Sequence, residues 1–235
     1  MFTNSATYYD AIYVAMGKDY NYEAELLHTF VQDRKKSFGK ALLDVGCGTG
    51  GHIGSLREHY MVTGLDLDLS ILEVARQKYP DVAFVQADMA NFTLGQSFDV
   101  ITCLFSSIGY VKTIERLHKA VSAMNEHLTS GGVILIEPWF APSDMTNGFI
   151  HAVFVDQPKL KIARMSTTLI DGRISTLDFH YLIATPGQVR HTTEQHELGL
   201  FTHQEYLAAL GAAGLEVTFY SKGLDGRGLY IGFKA

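Results

Sequence analysis

The chain has 235 residues, with 25 acidic side chains against 19 Lys and Arg, a formal charge of −6, and 47% hydrophobic content. That content excludes intrinsic disorder and can fill the core of one large α/β domain or two small ones. The mild acidity, with no Lys/Arg run longer than Arg34-Lys35-Lys36, argues against a nucleic-acid partner, which would call for a basic excess to neutralise phosphates. No apolar run reaches the length of a membrane span, so no membrane partner is expected. Met1 to Ser5 lacks the basic-then-apolar pattern of a signal peptide, and Cys47 and Cys103 lie in apolar, strand-like segments rather than in a disulfide framework. A soluble cytoplasmic protein is expected.

Residues before 36 are helical in pattern and rich in tyrosine: Tyr8, Tyr9, Tyr13, Tyr20 and Tyr22. Strands and helices then alternate. Lys40 to Val45 reads as strand, Gly51 to Glu58 as helix, Met61 to Leu65 as strand, Ser70 to Tyr79 as helix and Val82 to Gln86 as strand. Phe98 to Leu104 follows as strand, Glu115 to His127 as helix and Gly132 to Ile136 as strand. Each helix in such a series returns the chain to the same edge of the sheet, which gives parallel strands and a doubly wound α/β fold. From Ile150 to Phe201 the helical periodicity stops, and Asp171-Gly172 and Pro186-Gly187 mark turns, so an antiparallel insert over the sheet is expected. Thr202 precedes a helix from His203 to Ala213 with Gly214 as its stop, and Leu215 to Tyr220 and Leu229 to Phe233 close the chain as strands.

The first strand runs into Asp44-Val45-Gly46-Cys47-Gly48-Thr49-Gly50-Gly51 and then a helix. Glycines suit a tight turn that a ligand must approach without meeting a Cβ. Their spacing fits both the dinucleotide pattern of NAD-dependent dehydrogenases (Gly46, Gly48, Gly51) and the pattern of S-adenosylmethionine enzymes (Gly46, Gly48, Gly50). Charge separates the two. A carboxylate at Asp44 would crowd a pyrophosphate, whereas it favours the sulfonium and α-ammonium of S-adenosylmethionine. Asp66 ends the second strand 22 residues beyond Asp44, where its oxygens can accept from both ribose hydroxyls. The third strand ends in Asp88-Met89, a carboxylate for the adenine amino group and a thioether for the ring face.

These segments, LLDVGCGTG, GLDLD and QADM, resemble class I S-adenosylmethionine-dependent methyltransferases. GKDY, CLFSSIGY, GGVILIEPWF, LFTHQEY and GRGLYIG extend the likeness over nearly the whole chain to the N,N-dimethyltransferases of dTDP-3-amino sugars in desosamine and mycaminose biosynthesis. The resemblance implies a mostly parallel, seven-stranded Rossmann-like sheet with a reversed last strand. It further implies an N-terminal helical lid (1–38), a cofactor-binding core (39–149 and 202–235) and an antiparallel β substrate cap (150–201). Tyr9 and Tyr20 would meet the methionyl end of S-adenosyl-L-methionine, Gly46 its backbone-facing side, Asp66 the ribose, and Asp88, Met89 and Leu104 the adenosine. Trp139 and Arg227 would hold a nucleotide-sugar substrate and Tyr110 would lie near the sugar amine. The family carries His or Tyr at this last position, and its substrate-contacting N-terminal tyrosine falls where this chain has Met1 or Phe2.

The residues themselves add to this. Arg227, between Gly226 and Gly228, can bring its guanidinium fork to a pyrophosphate, and Arg164 and His180 on neighbouring insert strands can join that pocket. A tyrosine gives up its proton only near pH ~10, so Tyr110 is expected to orient the amine rather than act as base. His191, His196 and His203 lack zinc-type spacing and H-E-x-x-H is absent, so no metal is expected. The expected activity is N-methylation of a dTDP-linked deoxyamino sugar, with transfer to another small amine or hydroxyl as the alternative, by a monomer or homodimer.

Overall fold

In the computed structural model, which describes residues 4–235, a 3-10 turn at Ala6–Tyr8 leads into helices α1 (Tyr9–Ala15) and α2 (Tyr20–Arg34). The Met1/Phe2 position noted above lies outside the described residues. Asp19 caps α2 by accepting from the Tyr22 amide, and Ala24, Leu27 and Val31 form its buried stripe.

The alternating series follows as β1 (Ala41–Val45), α3 (Ile53–His59), β2 (Met61–Asp66), α4 (Leu69–Lys78), β3 (Ala83–Gln86), β4 (Phe98–Cys103), α5 (Ile114–Glu126) and β5 (Leu128–Ile136). Asp68 and Thr113 cap α4 and α5 through their side chains. Two boundaries differ from the sequence reading by more than one residue. The glycine loop runs on to His52 before α3 begins, and β5 starts at Leu128 rather than Gly132 because Leu128 already pairs with Phe98, ahead of a register shift. The chain ends with α6 (His203–Ala212), β10 (Glu216–Tyr220) and β11 (Leu229–Phe233). Thr202 and Glu205 form a reciprocal capping box on α6, and Gly214 terminates the turn beyond it at φ +82°.

These strands make a seven-stranded sheet in the order β10-β11-β5-β4-β1-β2-β3, parallel except for β11, which runs against both neighbours. Alternate residues feed opposite layers. Leu43, Val45, Ile134 and Ile136 pack with Leu117 and Val121 of α5 and Leu210 of α6, while Leu42, Val133 and Leu135 pack with Leu27 and Val31 of α2 and Leu56 of α3. The sheet is doubly wound, as expected.

The insert is a four-stranded antiparallel sheet, β6 (Ile150–Gln157), β7 (Leu160–Asp171), β8 (Ile174–Thr185) and β9 (Gln188–Gly199), in sequence order. Two of its hairpin turns coincide with Asp171-Gly172 and Pro186-Gly187; a third, at Pro158-Lys159, carries no glycine and was not foreseen. Its inner face, with Val153, Val155, Ile162, Phe179 and Tyr181, packs on Ile12 of α1. Cys47 and Cys103 are buried and unpaired, and no helix among the described residues is long and apolar enough to cross a membrane.

Candidate active site

The carboxyl ends of β1 to β5 converge where the strand order turns, between β1 and β4, the place at which open α/β sheets take their ligands. Gly46, Gly48 and Gly50 all sit at positive φ (+71°, +56° and +75°), whereas Gly51 does not. Conformational demand thus falls on the G-x-G-x-G positions. At Gly46 there is a second constraint, since a Cβ would lie 2.6 Å from that of Ser107, whose hydroxyl donates to the Gly46 carbonyl.

Asp66 anchors this loop. One carboxylate oxygen accepts from the Gly48 amide and the other from that of Asp68, each at 2.9 Å. Burial nevertheless raises its pKa, which these amides only partly offset. Each oxygen keeps a lone pair for a hydroxyl donor. Asp44 is more enclosed. It accepts from Thr102 Oγ1 at 2.8 Å, and burial pushes its carboxyl up to about 6. Asp44 borders a small recess with Tyr9, Tyr20, Gly46, Gly48, His52 and Leu104. Among the described residues the buried Tyr20 hydroxyl has no hydrogen-bond partner, so this polar recess offers an acidic group and an unsatisfied phenol to an amino-acid-like moiety. Asp88 and Met89 line the adjoining wall. Asp88 is not bare, as the sequence reading implied, because Arg116 contacts both its oxygens at 2.8–2.9 Å and holds its pKa down against burial.

The α1 helix closes over these loops. Asp10 accepts from Thr49 Oγ1 at 2.5 Å and pairs with Lys78 of α4 at 2.7 Å. Beneath, Glu23 of α2 bridges Lys18 and His52, each contact 2.7 Å.

A cavity of about 1000 Å³ extends from Gly46, Asp66 and Met89 past Tyr110 to Trp139, Arg164 and Arg227. It lies at the top of the size range for single small-ligand pockets, roughly 300–1,000 Å³, and has room for a cofactor and a second molecule. The segment after β4 carries Phe105 and Ser106 at φ +50° and +62°, a left-handed pair stabilised by Phe105 N–H donating to Glu137 and Ser106 Oγ donating to the Pro138 carbonyl. This bend delivers Tyr110 to the cavity. Trp139 is fixed by its indole N–H donating to Ser175 at 2.9 Å.

The two arginines differ. Arg227 is enabled by Gly226 and Gly228 at φ +95° and +92°, but its guanidinium already binds Asp225 and Glu137. Arg164 is buried and no carboxylate among the described residues pairs with it. Its Nε has no partner among them either, its Nη2 meets Met16 Sδ, and its guanidinium lies near the rings of Tyr13 and Phe179. His180 is a correction. Arg164 pairs in register with Tyr181, so the pleat sends His180 to the opposite, outer face, where it sits exposed 3.2 Å from His191.

Glu194 and His196 have a place in the site that the sequence reading did not give them. Tyr110 Oη lies 2.8 Å from Nδ1 of His196, and His196 Nε2 faces Glu194 at 3.7 Å. Glu194 accepts from the Asn4 and Ser5 amides, the Ser5 hydroxyl and Tyr181. A signal was present: Glu194 and His196 occupy alternate, inward positions of β9, where the pattern calls for apolar residues.

A doubly wound sheet with a G-x-G-x-G loop and acidic ends on β1 and β2 defines a class I S-adenosylmethionine-dependent methyltransferase. Residues 42–132 match the methyltransferase domain family. The chain is 39% identical over 232 residues, 98% of each sequence, to the dTDP-3-amino-3,4,6-trideoxy-alpha-D-glucopyranose N,N-dimethyltransferase of Streptomyces venezuelae. It is 37% identical to the dTDP-4-amino-2,3,4,6-tetradeoxy-D-glucose N,N-dimethyltransferase of Saccharopolyspora spinosa, over 97% of this chain and 92% of that one. Among solved structures, Streptomyces venezuelae DesVI superposes with a TM-score of 0.94 at 38% identity and 99% coverage of both chains. The S-adenosylmethionine-bound amino pentose methyltransferase CalS10 of Micromonospora echinaspora gives 0.87 at 33%, over 97% of this chain and 96% of that one. The chain belongs to the family of S-adenosylmethionine-dependent N,N-dimethyltransferases of nucleotide-linked amino sugars.

Proposed function

We propose that this enzyme transfers two methyl groups to the amine of a dTDP-linked deoxyamino sugar. The observation that carries the reading is the buried Arg164 guanidinium, which lines the cavity with no carboxylate partner among the described residues. A buried cation left unpaired is costly, and an incoming diphosphate would relieve that cost. Arg164 and Trp139 take the nucleotide-sugar in this reading, with Arg227 as a pre-neutralised wall of the same pocket.

In this assignment Asp66 receives the ribose hydroxyls, Asp88 and Met89 surround the adenosine, and Tyr9, Tyr20 and Asp44 surround the methionyl end above the Gly46–Gly48 loop, joined there by Leu104, which the resemblance had set beside the adenosine. Residues 1–38 act as a lid, 150–201 as a substrate cap, and 39–149 with 202–235 as the cofactor core. The enzyme works in the cytoplasm. The cofactor supplies an electrophilic methyl on a sulfonium, so the protein's task is chiefly to align the amine with it, and positioning of this kind can contribute about 7–11 kcal/mol. Tyr110 faces the position proposed for the amine.

The test is mass-spectrometric scoring of methyl gain on dTDP-linked 3-amino and 4-amino sugars and on the free amino sugars. Methylation confined to the nucleotide-linked forms is expected. Arg164→Met should raise KM for those forms by tenfold or more, about 1.4 kcal/mol, with S-adenosylhomocysteine affinity unchanged. Equal methylation of free and nucleotide-linked sugars, or of an unrelated amine or hydroxyl in preference to both, would refute it.

A further inference from the structure

We propose that Tyr110, His196 and Glu194 form a proton relay that takes the ammonium proton from the sugar nitrogen so that this nitrogen can accept each methyl group. The relay rests on the amino-sugar reading above and deepens it.

The geometry is that of a phenol, an imidazole and a carboxylate in series. Tyr110 lines the cavity, its hydroxyl reaches His196 Nδ1 at 2.8 Å, and the far nitrogen of His196 turns to Glu194 at 3.7 Å. The carboxylate fixes the tautomer, because a proton on Nε2 faces negative charge and leaves Nδ1 as an acceptor for the Tyr110 hydroxyl. Glu194 is kept ionised: burial works against it, but His196, Ser5 and Asn4 hold its pKa below the ordinary value. His196 is surrounded by Tyr110, Glu194 and the edge of Phe179, with Arg164 beyond, and burial lowers its pKa, so it is neutral and able to accept at pH 7. Burial also raises Tyr110 well above its ordinary value, so the phenol cannot hold a negative charge and must pass a proton through rather than lose one.

Why a relay is needed follows from the chemistry of two transfers. In the first, the amine lone pair forms the N–C bond as the C–S bond breaks. Sulfur leaves neutral and the positive charge appears on nitrogen as a secondary ammonium. That ammonium has no lone pair. One of its protons moves to the Tyr110 oxygen while the Tyr110 proton moves to His196 Nδ1, which leaves a neutral secondary amine, an unchanged phenol and an imidazolium facing Glu194. The proton leaves to water when the spent cofactor is exchanged, and the nitrogen is ready for a second methyl. Tyr110 is the catalytic residue in contact with substrate, which extends the purely orienting role expected from the sequence to passing a proton; His196 and Glu194 act through it.

His196→Gln keeps a hydrogen-bonding group next to Tyr110 but removes the site that holds the proton. At pH 7 this variant should accumulate monomethyl product, with the second transfer slowed about 10²-fold or more, the contribution of positioned acid–base groups. Raising the pH to about 9, where solvent deprotonates the amine, should restore most of the rate, whereas the wild-type profile stays flat. Tyr110→Phe should behave alike. A readout without turnover uses ¹⁵N-histidine NMR of the wild type saturated with S-adenosylhomocysteine: binding of the monomethylamino dTDP-sugar should raise the imidazolium fraction of His196, and Tyr110→Phe should abolish that rise. An active His196→Gln enzyme with the wild-type product ratio and pH profile, or a His196 whose imidazolium fraction is the same with and without the bound sugar, overturns the relay. Should His196→Gln fail to fold, the NMR measurement and Tyr110→Phe decide it. A wild type that methylates no nucleotide-linked amino sugar overturns the substrate reading instead, and the relay with it.

Discussion

Asp44 gives the sharpest quantitative expectation. Its carboxyl is buried at the end of β1, and burial lifts its pKa from 3.8 to about 6 although Thr102 donates to it. Holding it ionised at pH 7 in the unliganded enzyme therefore costs about 3 kcal/mol, from roughly two pKa units at 1.36 kcal/mol each. The sign is that of a raised carboxylate: the cost is fully present above pH 6 and is relieved as Asp44 takes up a proton toward pH 4. A ligand bringing an α-ammonium into the recess lined by Asp44, Tyr9 and Tyr20 binds the ionised form. That form makes up about nine-tenths of the population at pH 7 and about a tenth at pH 5, so S-adenosylhomocysteine affinity should fall about tenfold over that interval. Titration calorimetry at several pH values measures it. Methylthioadenosine, which lacks the amino-acid end, should show no such loss, and Asp44→Asn should bind S-adenosylhomocysteine more weakly with no pH dependence in this range. The same variant should melt higher than wild type when unliganded at pH 7. A methylthioadenosine profile parallel to that of S-adenosylhomocysteine, or a tenfold loss persisting in Asp44→Asn, would refute the reasoning.

Asp66→Ala removes the carboxylate proposed to accept the ribose hydroxyls and should weaken S-adenosylhomocysteine by about 1.5–3 kcal/mol, the range for hydrogen bonds to charged groups, while unchanged calorimetric affinity would dismiss that role. Arg227→Ala strands the fully buried Glu137 carboxylate and should cost about 3 kcal/mol, or roughly 6–12 °C in Tm, with Glu137→Gln in the same chain recovering much of it. An unaltered Tm with a selective rise in KM for the nucleotide-sugar would instead return Arg227 to the role of a diphosphate clamp.

The division between what was legible in the sequence and what was not follows sequence separation. Ala41-Leu42-Leu43 reads as strand because both faces of a central parallel strand are buried, and Gly46, Gly48 and Gly50 read as a loop because positive φ strongly favours glycine. Thr202 announced a helix start through its local cap. The Tyr110–His196 contact spans 86 positions and leaves no local trace beyond two polar residues on an inward face. Arg227 showed its enabling glycines but not its neutralising carboxylate, Glu137, which lies 90 positions away. His180 was misplaced for another reason: adjacency of strands was read correctly, but side depends on register, and a single step in register exchanges the two faces.

The reversed β11 has a consequence for how such a pocket changes over time. Because β10 runs with the parallel strands and β11 against them, the chain between them turns back on the ligand-binding edge of the sheet, and a C-terminal loop meets residues that follow β5. A parallel last strand would require a crossover of a dozen or more residues and would put that loop on the far edge. A hairpin connection has no such minimum, and doubling a flexible loop costs only about 0.6 kcal/mol in closure entropy. Apart from Leu224, which is buried in the core, and Arg227, which neutralises Glu137, residues 221–228 can therefore lengthen, shorten or change composition while the pairing of Glu216 with Phe233 and Tyr220 with Leu229 stays intact. The sheet thus leaves one rim of the substrate pocket open to insertion and deletion, so that neighbouring members of a lineage can diverge in sugar preference without rebuilding the cofactor half.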